Sequence, residues 1–453
     1  MSKFIVSKFG GSSMKDREAM YRSAEIAKVH NSHLIVVSAT YGTTNQLVEI
    51  SKVAPIADWK TCRKIFTKIK DRHISLAKAL EVDQAAITDI ESILNELKTL
   101  AKGINLLKDC SPKTYDSLLA IGERLSSRLF TECLVQVWSE KRVSYLDVRE
   151  VMITDQNFNT ARPLKNELRP QCQRKLLEAR HGHQAFVTQG FIGASQDGLT
   201  TTLGRGGSDY SAALLAWACD ADVLQIWTDV AGIASTDPRI CNEAVPISEI
   251  TFSEASELAN FGAKILHPAT LLPAAEVNIP VFVGSSYDPK SKGTWICEET
   301  KSKPLIRAMA LRKDQTLLTL KNPKMLQTYG FLYSIFKVFN DHKMSVDSIT
   351  TSEISVAMTI NGQLNQEISK EFLKDLRDLG DLNVEESLSL ISLIGNKINH
   401  TPGLASRVFN SIPDINVRMI CLGASKHNFC FLVNNKDAES SIRLLHQTFI
   451  GQL

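Results

Sequence analysis

The chain has 453 residues, 43% hydrophobic and 22% charged, enough for a sizeable core and roughly two to four domains. Its 52 basic and 49 acidic residues leave a net charge of +3, which argues against a nucleic-acid or anionic-membrane partner. Nine dispersed cysteines without a CxxC pair fit a reducing compartment, and neither a signal peptide nor an apolar run of membrane-spanning length is expected.

Residues 4–9 read as a buried strand that ends in "VSKFGGSS" (6–13). Gly10 and Gly11 free the backbone to turn, and Ser12 or Ser13 is expected to cap a following helix that holds Met14, Met20 and Ala24. A strand, a glycine turn and a helix N-terminus make an anion site with Lys8 at its mouth. A plain strand–helix turn with a surface lysine fits this stretch equally well. A helix over 17–30 and a strand over 34–38 complete a βαβ beginning and argue for a parallel sheet.

Residues 58–140 lack strand signals. The basic stretch "KTCRKIFTKIKDRH" (60–73) carries Ile65 and Ile69, with Ile74 next, at helical spacing, so a helix with a solvated basic face is favoured over a polyanion patch. Residues 83–107 and 115–137 are further amphipathic helices. Glu123 interrupts the apolar run of the second, either to hold a cationic ligand group or as an ordinary helix-edge residue. His181-Gly-His183 lacks a third ligand nearby and reads as a surface turn.

Strands return at 185–189, 223–227 and 280–283, each followed by a polar loop of the kind that binds ligands at strand carboxyl ends. "TTTLGRGGSDYSAALLA" (200–216) forms a second phosphate cradle, with Gly204, Gly206 and Gly207 before an Ala/Leu helix. It is neither a Walker A loop nor a GxGxxG fingerprint. Arg205 offers a fork for a carboxylate, and Asp209 stands beside a helix N-terminus. "WTDVAGIASTDPR" (227–239) leaves its strand as Thr228-Asp229, alone read most simply as an Asx turn. "FGAKILHP" (261–268) puts Lys264 on a small turn.

The turn-rich "DPKSKGTW" (288–295) is expected to be a domain boundary, with a linker to about residue 305. Beyond it the chain repeats. Residues 316–339 align with 389–412, 344–351 with 415–422, and 354–361 with 427–434. Each copy reads strand, glycine turn, helix, strand, strand, helix, the βαββαβ ferredoxin-like arrangement. The second copy runs out before a last strand is evident, so it is either short or shares strands with the first.

"KFGGSS", "TTTLGRGGSDYSAALLA", "WTDVAGI", "TDPR" and "FGAKILHPAT" together resemble the aspartokinases, more narrowly the monofunctional lysine-sensitive class. The resemblance covers essentially the whole chain. It implies an α/β amino-acid kinase fold, a parallel-rich sheet between helices, over residues 1–295, followed by two ferredoxin-like ACT regulatory domains over 306–385 and 386–453. The activity implied is transfer of the ATP γ-phosphoryl group to the β-carboxylate of L-aspartate, with Mg²⁺ on the phosphates and no protein metal ligand set. By the family's pattern Thr44, Glu123, Arg205 and Ser208 contact aspartate. Arg205 takes a carboxylate, Glu123 takes the amine, and Asp209 organises Lys8 and its loop. Lys8, Gly10, Gly11, Ser12, Ser13, Thr228, Asp229, Ala234, Arg239 and Lys264 surround the nucleotide. Ala234 stands where the lysine-sensitive class carries a tyrosine, and Ala231 where the family has proline. Met325, Thr328, Phe331, Leu332, Val346, Asp347, Ser352 and Glu353 match the pattern for L-lysine as allosteric inhibitor. A cytoplasmic homodimer or dimer of dimers through the ACT domains is expected, because paired sheet edges cover one another. Another amino-acid or nucleotide kinase of the same fold is disfavoured by the repeat; an amino-acid sensor with an inactive kinase domain is disfavoured by the presence of Lys8, Arg205 and Asp209 together.

Overall fold

The computed structural model describes residues 3–176, 184–204, 206–262, 268–326, 329–361 and 368–451. They form two units. The first comprises Met1–Ile233, Ile247–Phe252 and Ile265–Thr300; the second comprises Ala234–Pro246, Ser253–Lys264 and Lys301–Leu453. Among the described residues no helix is long and apolar enough to cross a membrane.

In chain order the first unit begins with β1 (Ile5–Phe9), α1 (Arg17–Val29) and β2 (Leu34–Val37). Four helices follow: α2 (Thr43–Val53), α3 (Trp59–Ala79), α4 (Gln84–Leu107) and α5 (Pro112–Val137). Then come β3 (Arg142–Tyr145), β4 (Ile153–Thr154), α6 (Lys165–Lys175), β5 (Gln184–Gln189), β6 (Ile192–Ser195), β7 (Thr200–Thr202), α7 (Gly207–Ala218) and β8 (Val223–Thr228). After β9 (Glu249–Thr251) comes α8 (Phe252–Asn260), which from Ser253 onward belongs to the second unit, and the first unit resumes with α9 (Pro268–Glu276), β10 (Val281–Ser285) and β11 (Thr294–Cys297).

The main sheet has the order β3-β5-β2-β1-β8-β10-β11-β9 and is parallel except between β10 and β11. Its strands are apolar on both faces, as a sheet covered on both sides requires. Alternation divides them: Phe9, Ile35, Val37 and Trp227 join the core made with α1–α5, while α7, flanked by α6 and α9, contacts β1, β2 and β8. The basic stretch 60–73 lies in α3, which buries Cys62, Ile65, Phe66, Ile69 and His73 and leaves its lysines outward.

Two sequence expectations change here. The first helix is capped by Asp16, whose side chain accepts from Ala19 N, and not by Ser12 or Ser13; a 3-10 turn over Gly11–Met14 intervenes. The turn-rich stretch before 295 is a hairpin and not a linker. Thr294–Cys297 pairs antiparallel with β10, with Thr294 and Ile296 buried on one face.

The second unit continues with β12 (Ala308–Lys321), α10 (Phe331–Asp341), β13 (Ser348–Thr351), β14 (Ser355–Asn361), α11 (Lys370–Arg377), β15 (Asp381–Ile394), α12 (Leu404–Asn410), β16 (Met419–Leu422), β17 (Asn428–Asn434) and α13 (Asn435–Phe449). Its six strands form one antiparallel sheet in the order β13-β14-β12-β15-β17-β16. Both copies of the repeat are ferredoxin-like, and they share strands. The later half of β12 pairs with β14, and the earlier half of β15 pairs with it on the other side. The later half of β15 pairs with β17, and residues 308–312 of β12 supply the second copy's missing outer strand. The expected boundary at 385/386 therefore cuts through a strand, and the first copy is inserted into the second. Register shifts near Arg312–Leu317, with Asp314 and Ser387 at positive φ, bend the two long strands between the copies. Helices α10 and α11 cover the first half and α12 and α13 the second. The opposite face forms its own core, with Leu317, Leu388, Leu390, Met419, Cys430 and Leu432. The sheet curls far enough for its two edges to meet, Thr350 Oγ1 lying 3.4 Å from Ile420 O. The aligned glycines play one role: Gly330 (φ +80°) and Gly403 (φ +73°) both sit in the left-handed region at a helix N-terminus.

Candidate active site

Parallel strands β1, β2 and β8 lie side by side, so the loops at their carboxyl ends gather at one edge. Lys8 stands one residue before the end of β1 and is 7% exposed. Its ammonium pairs with Asp209, in the first turn of α7. That helix is entered through Gly206 at φ +73° with no side-chain cap, which leaves its first amides to the loop side. Gly11 is needed for close approach, and neither Gly10 nor Gly11 for a left-handed turn. A Cβ on Gly11 would stand 3.2 Å from Ala39 O, and one on Gly10 3.6 Å from Lys8 Nζ. Ser13 is turned inward: its hydroxyl donates to Ser286 Oγ at 2.8 Å and its amide to Gly10 O at 3.0 Å. Both donors are used within the fold. Ser286 in turn donates to Thr228 O, so Ser13 ties the first loop to the end of β8. Ser12 is half-buried.

The next loop, after β2, faces an acidic centre on a helix. Glu123, in the middle of α5, is 3% exposed. One carboxylate oxygen accepts from Ala39 N at 3.2 Å; the other has no partner among the described residues. Burial pushes its pKa up to about 8. The helix-edge reading is thereby excluded, and the group is a buried acceptor with no cationic partner among the described residues. The loop it faces is rigid: Thr40 bonds Thr43 at 2.6 Å and His73 Nε2 at 3.0 Å. Burial holds His73 down to about 4, so the ring is neutral. Thr44 lies half-buried in the first turn of α2, after Gly42 at φ +79°. Ser208, beside Asp209, is also half-buried.

Asp116 escaped the sequence reading. It is fully buried one stretch before Glu123 on α5, and it accepts from Asn159 N, Thr202 N (2.9 Å) and Thr202 Oγ1 (2.7 Å). Burial raises its pKa against those bonds. It fixes the end of β7 that leads into Gly204. The available signal was its spacing, seven residues before Glu123 on one helix face.

Thr228 donates to Asp229 Oδ1 at 3.0 Å, and Asp229 is exposed. Ala234 and Arg239 belong to the second unit. Arg239 grips Asp237 with its whole fork at 2.7–3.2 Å and is otherwise exposed. Arg205, Lys264, Thr328, His181 and His183 lie outside the described residues. Among those described, no group of three or more acidic, histidine or cysteine side chains could hold a metal.

Within the second unit Met325, Phe331 and Val346 pack partly buried against the first copy's core. Leu332 is exposed in the first turn of α10. Ser352 and the exposed Glu353 form the turn between β13 and β14, where the Ser352 and Ser355 hydroxyls meet at 2.7 Å. Asp347 precedes β13 and pairs with Arg312 Nη1 at 2.8 Å, a partner the sequence reading did not name.

A family model described as the amino acid kinase family matches residues 3–285, and one described as an ACT domain matches 391–449. The chain is 44% identical over 452 residues to lysine-sensitive aspartokinase 3 of Escherichia coli strain K12, covering 98% of this chain and 99% of that one. The structure of E. coli aspartokinase III in complex with aspartate and ADP (R-state) superposes with a TM-score of 0.86 at 43% identity, covering 98% and 99% of the two chains. The same enzyme with lysine and aspartate (T-state) gives 0.85 at 43% identity, covering 99% and 100%.

Proposed function

The chain belongs to the aspartokinase family, and on that premise we propose that it phosphorylates the β-carboxylate of L-aspartate with ATP under inhibition by L-lysine. The observation that carries the substrate reading is Glu123, a buried carboxylate with one oxygen that has no partner among the described residues. A buried acid of this kind takes a cationic group, and the α-ammonium of an amino acid supplies one. Arg205 then takes a substrate carboxylate, and Thr44 and Ser208 complete the aspartate set. Lys8 stabilises charge on the transferring phosphoryl group, and Asp209 holds its ammonium in place. Gly10, Gly11 and Ser12 line the phosphate side, and Thr228, Asp229, Ala234, Arg239 and Lys264 the rest of the nucleotide. Phosphoryl transfer asks the protein mainly for alignment and charge neutralisation, which this set provides. Mg²⁺ fits as an ion carried by the ATP phosphates, since such ions keep most ligands from phosphate and water; when bound it neutralises phosphate charge.

Lysine is assigned to Met325, Thr328, Phe331, Leu332, Val346, Asp347, Ser352 and Glu353, with Asp347 exchanging Arg312 for a ligand ammonium. Residues 1–295 act as the kinase domain and the rest as regulatory domains. The partner is a second copy of the chain. The support for it has moved from strand edges, which meet each other, to Tyr329, Leu332, Tyr333 and Phe336, exposed together at the start of α10. Nine dispersed cysteines without a CxxC pair suit a cytoplasmic location. A coupled ADP-release assay with aspartate, glutamate, N-acetylglutamate and succinate tests the reading. Turnover with aspartate alone, lowered by lysine, is expected; no turnover with any acceptor would favour the sensor reading.

A further inference from the structure

We propose that Cys421 and Cys430 are a redox-sensitive pair that closes into a cross-strand disulfide on exposure to a hydroperoxide and so weakens effector control. The two residues face each other directly, Cys421 on β16 and Cys430 on the neighbouring β17. Opposed residues of an antiparallel pair have Cβ atoms about 4.5–5.5 Å apart, and a disulfide needs about 3.5–4.5 Å. The missing fraction of an ångström is available because β16 is the last strand of the sheet and can move toward β17. The Cys430 thiol already reaches across to Cys421, bonding its sulfur and lying 3.7 Å from its carbonyl oxygen.

The surroundings separate the roles of the two thiols. Cys430 is buried and Cys421 half-buried, so a reagent reaches Cys421 first. Cys421 Sγ is 3.6 Å from Thr350 Oγ1, and the Ser348 hydroxyl also bonds it; both come from β13, across the seam where the sheet edges meet. The Cys430 thiol and these hydroxyls hold Cys421 down to about 6, whereas Cys430 is pushed up by its neighbour and by burial. Cys421 is therefore the nucleophile. Its thiolate attacks one peroxide oxygen; the S–O bond forms, the O–O bond breaks, and the other oxygen leaves as hydroxide. Cys430 then attacks the sulfenic sulfur, giving its proton to the departing oxygen as the S–S bond forms and the S–O bond breaks. Two thiols lose two electrons and the peroxide becomes two waters.

Bridging draws the Cys421 sulfur away from Ser348 and Thr350. Strand β13 thereby loses its hydroxyl contacts with the Cys421 sulfur and keeps the 3.4 Å bond from Thr350 to Ile420 O across this seam, and its flanks carry Asp347 and Ser352. The consequence for control rests on the lysine reading above; the bridge itself does not.

The test treats reduced full-length protein with hydrogen peroxide, blocks free thiols, and maps the product by mass spectrometry beside lysine inhibition curves. A mass loss of about 2 Da is expected, with the 421 and 430 peptides joined and both effects reversed by dithiothreitol. The lysine concentration for half-inhibition is expected to rise by about threefold or more. In Cys430→Ser, dimedone is expected to label Cys421; Cys421→Ser is expected to keep its lysine response under peroxide. A bridge elsewhere, as through half-buried Cys110 or Cys297, would overturn the proposal, and so would an unchanged lysine response in fully bridged protein. Reduced protein that ignores lysine would count against the functional reading, while the mapping still decides the bridge.

Discussion

Replacing Glu123 by Gln separates substrate binding from stability, because the same carboxyl governs both. Its pKa rises on folding from 4.5 to about 8, because burial disfavours the charged form. A raised carboxyl pKa means that the folded state holds the proton more tightly. Stability is therefore lost as pH climbs from about 4.5 to about 8, and the loss near pH 7.5 is on the order of 4 kcal/mol. The neutral amide keeps the acceptor for Ala39 N and removes that loss. Ligand-free Glu123→Gln is expected to unfold at a higher denaturant concentration than wild type at pH 7.5, and at a similar one at pH 4.5. Aspartate binding runs the other way, because the substrate ammonium selects the ionised carboxylate. At pH 7 only about a tenth of the ligand-free sites are ionised, so KM for aspartate should fall about five- to tenfold between pH 7 and pH 8.5. Binding at pH 7 should release close to one proton, read from calorimetric heats in buffers of different ionisation enthalpy. In Glu123→Gln the proton release should vanish and KM should rise on the order of a hundredfold. A pH-independent KM with no proton release, or a glutamine variant that keeps the wild-type KM, would refute the assignment of Glu123 to the ammonium.

Lys8→Ala is expected to lower kcat about a hundredfold or more while the protein stays folded, measured by coupled ADP release and circular dichroism. Asp116→Asn turns one acceptor into a donor facing the amides of Asn159 and Thr202. It is expected to cost about 2–4 kcal/mol in denaturant unfolding and to raise KM for aspartate more than KM for ATP. Asp347→Ala is expected to raise the lysine concentration for half-inhibition about tenfold or more with uninhibited kcat and KM unchanged, read from inhibition curves.

Five strands of the first unit's sheet, β1, β2, β5, β8 and β10, were legible because they are short apolar runs with glycine or polar loops at their ends; β3, β9 and β11, at its margins, were not. Lys8 and the 204–207 glycines were legible for the same reason, since residue order and backbone freedom are local properties. What was hidden was tertiary. Ser13 carries a helix-capping residue type, yet a 3-10 turn moves the cap to Asp16 and frees Ser13 to bond Ser286. Asp116 looks like any helical aspartate until β7 supplies the donors that surround it. Arg312 and Asp347 lie 35 residues apart and meet only because the sheet places them together. The shared strands left a trace in the repeat, which stopped one strand short, but periodicity could not say which earlier segment closes the gap.

That sharing shapes how the C-terminal half can be made and altered. The outer strand of the second ferredoxin-like unit leaves the ribosome as residues 308–312, long before its neighbour, the later half of β15, is synthesised. Until then it has no strand to bond, and the unit between them must already be forming. Neither unit is a cassette. A fragment ending at 385 would strand half of β12, and one starting at 386 would leave an open edge along β15. Exchange between related chains can preserve the shared sheet only by moving 308–434 as one piece, so the site for the effector and the unit beside it are inherited together.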